Sequence, residues 1–339
     1  MKRRLVSFFL VLLLVLLACS PFLLLAAQLP VLADAAKQKP QGSGVGEKVA
    51  AGVKPVLGQS GNISSIKTRP GGTTADAVWL PDVSKKISSK SAIIIDAETG
   101  ETLYALSPDT PRQPASTIKV LTGMIAIKSL DDGEWVGVSS RASGMPRSKV
   151  YLDTKKSYRA SDLINAVLLA SANDASVALA EKIAGSEEKF GEMMNLRARL
   201  WGAKNTVCRT ASGLTAQGQQ STARDLANIF RHAMQDENFA RRMGRVKLRT
   251  SYGKLLRNHN KALWTVKGAE GGKTGYTRAA RQTYVGQFAG DQGKIVVAIM
   301  GSESMWDDVE KLVDYGFKRQ EKLARLRSKG ESREVALAR

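Results

Sequence analysis

Histidine and cysteine are nearly absent from this chain of 339 residues, which has two of each. Cys19 lies inside an apolar N-terminal run, which leaves Cys208 without a partner. No intramolecular disulfide and no thiolate metal site are expected. Cys208, in Thr206-Val-Cys-Arg-Thr210, reads as a small core or strand residue. His232 and His259 stand in no recognisable catalytic setting, so a serine or other nucleophile must find its base elsewhere. Acidic residues are also short, with 31 Asp and Glu against 51 Lys and Arg and a formal net charge of +20. Such an excess predicts attraction to polyanions: nucleic acid, acidic envelope polymers or anionic lipid head groups. Helix-turn-helix, zinc-finger and aromatic RNA-binding patterns are all missing, so a nucleic-acid partner is not expected.

What is present begins with an export signature. Lys2-Arg3-Arg4 precedes an almost continuous apolar run from Leu5 to Ala27. The run is long enough to span a bilayer, which takes about 20 residues. It is either removed before Asp34, after Val31-Leu32-Ala33, or kept as a membrane anchor with its basic end inside. Leu16-Leu17-Ala18-Cys19 faintly resembles a lipoprotein box, but the apolar run continues past it. Each fate places the residues after about 35 outside the cytoplasm, in a bacterial periplasm or on the outer face of the membrane. Residues 1–33 are thus a signal peptide or anchor. Residues 34–77, rich in Gly, Ser, Lys and Pro, read as a flexible linker. The ordered domain is expected over 78–320, followed by a charged tail over 321–339.

Within that domain Ala92–Ile95 reads as a buried strand, Asp96–Gly100 as a turn and Glu101–Ala105 as its hairpin partner. An extended loop through Pro111 and Pro114 leads to a helix from Ser116 to Ser129. Ser161 reads as the N-cap of a helix through Ala170, with helix again from Ala175 to Ala184. Ser186 opens another, ending near Gly202. Thr222-Ala-Arg-Asp225 has the form of a capping box for a helix to about Gln235. Strands follow at Gly271–Thr277, Thr283–Ala289 and Lys294–Met300, the last two joined by a Gly290-Asp-Gln-Gly293 turn. A helix from Trp306 to about Arg319 closes the domain. Strands at both ends with helices between predict a sheet whose edges are far apart in sequence.

Three short motifs carry the chemistry: Ser116-Thr-Ile-Lys119, Ser171-Ala-Asn173 and Lys273-Thr-Gly275. Each alone is weak. Ser64, Ser186 and Ser251 also have a Lys three residues on, and Ser60-Gly61-Asn62 imitates the second motif. Taken singly, Ser116 reads as a helix cap, Lys119 as a solvated lysine, Ser171 and Asn173 as a turn, and Lys273 as a strand entry. Order and spacing separate the set from its imitators: 55 positions (171−116), then 102 (273−171). Serine and lysine at i and i+3 share one helix face. A lysine whose pKa is lowered by burial or a nearby cation can take the serine proton. The helix N-terminus favours the developing negative charge.

With these motifs, in this order, the chain resembles the D-alanyl-D-alanine carboxypeptidases, low-molecular-mass penicillin-binding proteins of serine peptidase family S11. Thr210-Ala-Ser-Gly-Leu214, Ser221-Thr-Ala-Arg-Asp225, Asn258-His-Asn-Lys261 and Gly271–Thr277 add to the likeness. The resemblance implies an α/β chain of α+β type with the serine β-lactamase/DD-peptidase-like fold, an antiparallel sheet flanked by helices with a helical subdomain. It implies Ser116 as the nucleophile toward the terminal D-Ala-D-Ala bond of a peptidoglycan stem peptide, with Lys119 as base and Ser171 as proton relay. Asn173, Lys273, Thr274, Gly275 and Tyr276 are the implied substrate-binding residues. Asn173 would hold the peptide amide, Lys273 would supply positive potential, and Thr274 would meet the terminal carboxylate. The backbone N–H groups of Ser116 and Tyr276 are implied as an oxyanion hole. β-Lactams would acylate Ser116, and neither metal nor cofactor is called for.

The chain departs from the family pattern after Thr277. There a small Ala-Gly pair is replaced by Arg278-Ala-Ala-Arg281, which either reshapes the cleft or contacts a carboxylate. Many relatives also carry a further β-rich domain and a C-terminal anchor, for which this chain ends too soon. Its membrane attachment is therefore expected at the N-terminus, helped by the basic stretch Lys318–Lys329. A class A β-lactamase is disfavoured, because no Glu-x-x-Leu-Asn segment lies between Ser171 and Lys273. Cross-link-cutting endopeptidase and low-turnover penicillin-binding wall protein remain as alternatives.

Overall fold

The apolar runs near the two ends of the domain pair with each other. In the computed structural model, which describes residues 80–337 and side chains to 328, the strands are β1 (Ser91–Asp96), β2 (Thr102–Leu106), β3 (Trp135–Val136), β4 (Tyr158–Arg159), β5 (Lys247–Arg249), β6 (Leu255–Arg257), β7 (Ala269–Thr277), β8 (Arg281–Gly290) and β9 (Gly293–Ser302). The helices are α1 (Lys119–Ser129), α2 (Ser140–Ser143), α3 (Ala160–Leu168), α4 (Asn173–Ala184), α5 (Glu187–Leu200), α6 (Ala223–Ala233), α7 (Glu237–Met243), α8 (Ala262–Thr265) and α9 (Met305–Leu337). One five-stranded sheet has the order β2-β1-β9-β8-β7, with antiparallel neighbours throughout. Its edges, β2 and β7, are far apart in sequence, as the strand–helix–strand pattern predicts.

Both faces of the sheet are covered, which explains why β1 and β9 read as unbroken apolar runs rather than alternating ones. Ile93 and Ile95 of β1, with Val296, Ala298 and Met300 of β9, face the helical lobe of α1, α3, α4 and α6. Ala92 and Ile94, with Ile295, Val297 and Ile299, face α9 through Val309, Leu312 and Val313. Gly316 lets α9 approach closely, since a Cβ there would lie 2.7 Å from Ile295 Cδ1.

Helix boundaries depart from expectation where backbone geometry outweighs local propensity. Ser116 is not the start of an α-helix. It sits in a 3-10 turn, Ala115–Ile118, and α1 begins at Lys119. Ser161 is no cap: α3 starts at Ala160, and the Ser161 N–H donates to the Asp132 carbonyl. The final helix does not stop near Arg319 but runs to Leu337; it contains no Pro, and it continues through Gly316 and Gly330. Ser186 and Thr222 do cap α5 and α6, through Lys189 and Asp225 N–H groups. The Thr222 capping is only half a box, since Asp225 turns its carboxylate to Asn205 N and Thr206 Oγ1. The hairpin β5–β6 and helix α7 fill a stretch to which the sequence pattern assigned no element. Cys208 is buried in the core, where desolvation pushes its thiol up to about 12. The export segment and the linker lie outside the described residues.

Candidate active site

The 3-10 turn improves the Ser–Lys pairing, because residues i and i+3 eclipse there instead of being offset. Ser116 Oγ lies 2.8 Å from Lys119 Nζ. Hydrogen bonds to the Pro114 carbonyl from Thr117 Oγ1 (2.6 Å) and Thr283 Oγ1 (3.0 Å) pin the turn to β8. Ala115 is held at φ +49°, a strained value for a residue with a side chain. Gly213 lies against it, where an added Cβ would be 2.0 Å from the Ala115 carbonyl oxygen. That contact delivers the neighbouring Ser212 carbonyl to the site.

Lys119 is fully buried, and its Nζ has two more partners, Asn173 Oδ1 at 2.7 Å and the Ser212 carbonyl at 2.5 Å. Burial holds its pKa well below the ordinary lysine value. The Lys273 cation lowers it further, against an opposing pull from Asp174 and Glu187. A neutral amine has two N–H donors and one lone pair. Asn173 Oδ1 and the Ser212 carbonyl carry no hydrogen and take the two donors. The lone pair is left for the one partner that can donate, the Ser116 hydroxyl.

The second pair mirrors the first. Lys273 is 1% exposed, and its Nζ donates to Ser171 Oγ at 2.9 Å and to the Thr274 carbonyl at 3.0 Å. Burial brings its pKa down to about 7. Ser171 is buried at φ +57°, a second strained residue. The Asn173 amide donates to the Pro146 and Arg147 carbonyls, each at 3.0 Å, while its backbone N–H donates to the Ser148 carbonyl. Both amide hydrogens are spent, so a substrate N–H can reach this side chain only at Oδ1.

A cleft of about 560 Å³ opens over these groups, lined among others by Ser116, Ser171, Asn173, Thr274, Gly275 and Tyr276. The structure therefore brings together all the residues picked out in the sequence, with Lys119 and Lys273 behind the lining. Tyr276, 63% exposed, stands at the rim. β7 is the edge strand and passes directly over the serine turn: a Cβ on Gly275 would lie 2.8 Å from Ser116 N and 2.5 Å from Thr283 Oγ1.

Several supporting residues escaped sequence reasoning. Asp174, fully buried, accepts from Val150, Leu152 and Ala175 N–H and anchors the loop that Asn173 holds. Glu187 accepts from Ala211 N–H at 2.9 Å and so steadies the Ser212 carbonyl, while Arg141 neutralises it at 2.7 Å. Both carboxylates look like ordinary first-turn helix acids in the sequence. His259 opens onto the cleft, and its backbone N–H donates to the Leu169 carbonyl. Desolvation, then Lys273 and Lys119, hold its pKa down to about 4, so it is neutral and no competitor for the base. Its place in Asn258-His-Asn-Lys261 was the signal. Arg281 does not line the cleft; its guanidinium lies 3.8 Å from Glu303 at the surface. Among the described residues no cluster of three or more His, Cys, Asp or Glu could hold a metal, and no helix is long and apolar enough to cross a membrane.

The fold, one two-sided antiparallel sheet with a helical lobe, is shared with solved penicillin-binding proteins and DD-peptidases. Penicillin-binding protein D2 of Listeria monocytogenes, in its ampicillin-bound form, superposes with a TM-score of 0.64 at 26% identity, covering 70% of this chain and all of that one. Residues 77–304 match the family model of peptidase family S11, D-alanyl-D-alanine carboxypeptidase, and the chain belongs to that family. It is 30% identical over 251 residues to D-alanyl-D-alanine carboxypeptidase DacF of Bacillus subtilis, covering 69% of this chain and 63% of DacF. It is 34% identical over 254 residues to DacB2 of Mycobacterium tuberculosis, covering 72% of this chain and 86% of DacB2.

The close passage of β7 over Ser116 gives a direct test. Gly275→Ala should leave the thermal unfolding midpoint within a few degrees, yet cut the rate of covalent labelling by a fluorescent penicillin by about 100-fold, the scale of a small misplacement at a reacting centre. Labelling at the unaltered rate would show that the strand does not set the geometry around Ser116.

Proposed function

We propose that this chain is a serine-type D-Ala-D-Ala carboxypeptidase that removes the terminal D-alanine from peptidoglycan stem peptides and is acylated by β-lactams. The names of its relatives and the ampicillin-bound neighbour support this reading. The observation that carries it is the hydrogen-bond inventory at Lys119, which leaves a lone pair facing the Ser116 hydroxyl.

In this account Lys119 takes the hydroxyl proton as Ser116 Oγ bonds to the carbonyl carbon between the two D-alanines. The backbone N–H groups of Ser116 and Tyr276 receive the oxyanion. The carbon–nitrogen bond then breaks, and the departing amine takes its proton through Ser171 Oγ, itself bound to Lys273. An ester to Ser116 remains. Water cleaves it, giving the shortened peptide acid and returning the proton to Ser116. Lys273 and Thr274 meet the terminal carboxylate, and Asn173 positions Lys119 while offering Oδ1 to a substrate N–H. Residues 1–33 export the chain or anchor it, so that catalysis takes place outside the cytoplasm. The linker, the domain over 78–320 and the tail follow as successive parts of the exported chain.

Ser116→Ala should reduce D-alanine release from a soluble peptide ending in D-Ala-D-Ala to background and abolish penicillin labelling. Release that survives would mean another nucleophile. Labelling without release by the unaltered chain would favour cross-link cleavage or a binding role.

The two lysines need opposite charge states, and this shapes the pH profile. Lys119 must be neutral, so kcat/KM rises with pH through its lowered pKa. Lys273 must be a cation, so kcat/KM falls as pH rises through about 7. Lys273→Arg keeps the charge and should move the alkaline limb up by more than 2 pH units, since arginine stays protonated above about pH 12. An alkaline limb that does not move would assign it to another group.

A further inference from the structure

From Asn238 to Ala269 the chain has no Asp or Glu. The stretch includes the β5–β6 hairpin, where Arg245, Lys247, Arg249, Lys254 and Arg257 are all exposed. None of the five forms an ion pair with a carboxylate among the described residues, although Lys182 and Lys294 elsewhere do. This charge is therefore uncompensated. Packing does not require it either, because these side chains contribute nothing to the two buried clusters.

The hairpin lies beside the cleft and is tied to it. Its tip meets the loop that Asn173 and Asp174 hold. Lys254 Nζ is 5.6 Å from the Tyr151 ring centroid, and Lys149 Nζ is 5.4 Å from the same ring. Tyr252 stacks edge-on against Tyr158 at 4.8 Å, and the Ser251 backbone N–H donates to Asp162. Arg147 and Ser148, a few residues before Tyr151, line the cleft. His259, two residues after Arg257, lines it as well. A cationic strip with an exposed aromatic ring, 58% accessible at Tyr151, thus leads away from the catalytic groups along one rim.

We propose that this strip is an extended subsite for the part of the substrate upstream of the scissile bond, and that it selects peptides carrying additional carboxylates there. The proposal rests on the carboxypeptidase reading and deepens it. In the carboxypeptidase reading the terminal carboxylate is met by Lys273 and Thr274, which leaves the hairpin cations for a different partner. A string of exposed lysines and arginines recognises spaced carboxylates with modest gain per contact, and the gain appears in KM rather than kcat because it is made equally in ground and transition states.

The test uses the full chain and two peptides ending in acetyl-lysyl-D-Ala-D-Ala, one with neutral residues upstream and one with two glutamates. At low salt the acidic peptide should show a KM lower by about three- to tenfold with kcat within about twofold, the scale of two exposed ion pairs. Salt at about 0.5 M should remove the difference. Lys247→Glu/Lys254→Glu should also remove it and leave release from the neutral peptide unchanged, while Lys247→Arg/Lys254→Arg should retain it. Equal KM values for the two peptides, or a preference that survives charge reversal, would overturn the proposal. So would a charge-reversed chain that keeps its peptide preference but loses retention on anionic wall polymer, which would make the hairpin a tether instead. Binding of dye-labelled versions of both peptides to Ser116→Ala, followed by anisotropy, separates the two readings. If the unaltered chain releases no D-alanine from either peptide, the carboxypeptidase reading fails, and the anisotropy still shows whether the hairpin prefers the acidic peptide.

Discussion

The structure is organised around one buried lysine. Lys119 sits where an ammonium is costly, with the Lys273 side chain close enough to raise that cost further. Three contacts make the position tolerable, and each comes from a different part of the chain: the Ser116 turn, the start of α4, and the loop at Ser212. Asn173, Asp174, Glu187 and Gly213 then act as supports for those contacts. Removing any support disturbs the amine through one intermediary. An arrangement in which two of three partners lack a hydrogen directs the lone pair at the third, the Ser116 hydroxyl, and this turns a structural burden into a general base.

The sheet supplies the other half of the site. Because both faces are covered, β7 has only its edge and its approach to the serine turn left for function. Gly275 allows the strand to lie against Ser116, and Lys273 reaches under it to Ser171. Two of the five non-glycine residues at positive φ among the described residues, Ala115 and Ser171, flank this junction and are buried. Strain at these two positions helps aim the catalytic side chains, a common feature of active sites.

Much of this was legible in the sequence. The paired strands β8 and β9, the far-separated sheet edges, the caps at Ser186 and Thr222, and the three motifs all follow from local patterns. What escaped depends on tertiary contacts. The 3-10 geometry at Ser116 comes from Ala115, Gly213 and the Pro114 carbonyl, none of which announces itself. Asp174 and Glu187 resemble helix-capping acids until the loops they hold are seen. The exhausted donors of Asn173 appear only when the 146–148 loop is in place. Arg281, expected from the sequence either to reshape the cleft or to contact a carboxylate, turns outward to Glu303. The β5–β6 hairpin has only three residues in each strand, and the alternation in Val246-Lys-Leu-Arg-Thr250 is too short to stand out, yet it carries exposed cations beside the site.

The central claim is that burial and the Lys273 cation hold the Lys119 amine well below the ordinary lysine pKa, which frees its lone pair for Ser116. An NMR titration of chain labelled at lysine Cε and Nζ, with the signal assigned by its loss in Lys119→Arg, tests this directly. The account predicts a Lys119 resonance that titrates well below the ordinary lysine range. A Lys119 signal that keeps ammonium shifts from pH 7 to pH 9 would contradict it, and the base for Ser116 would have to be another group.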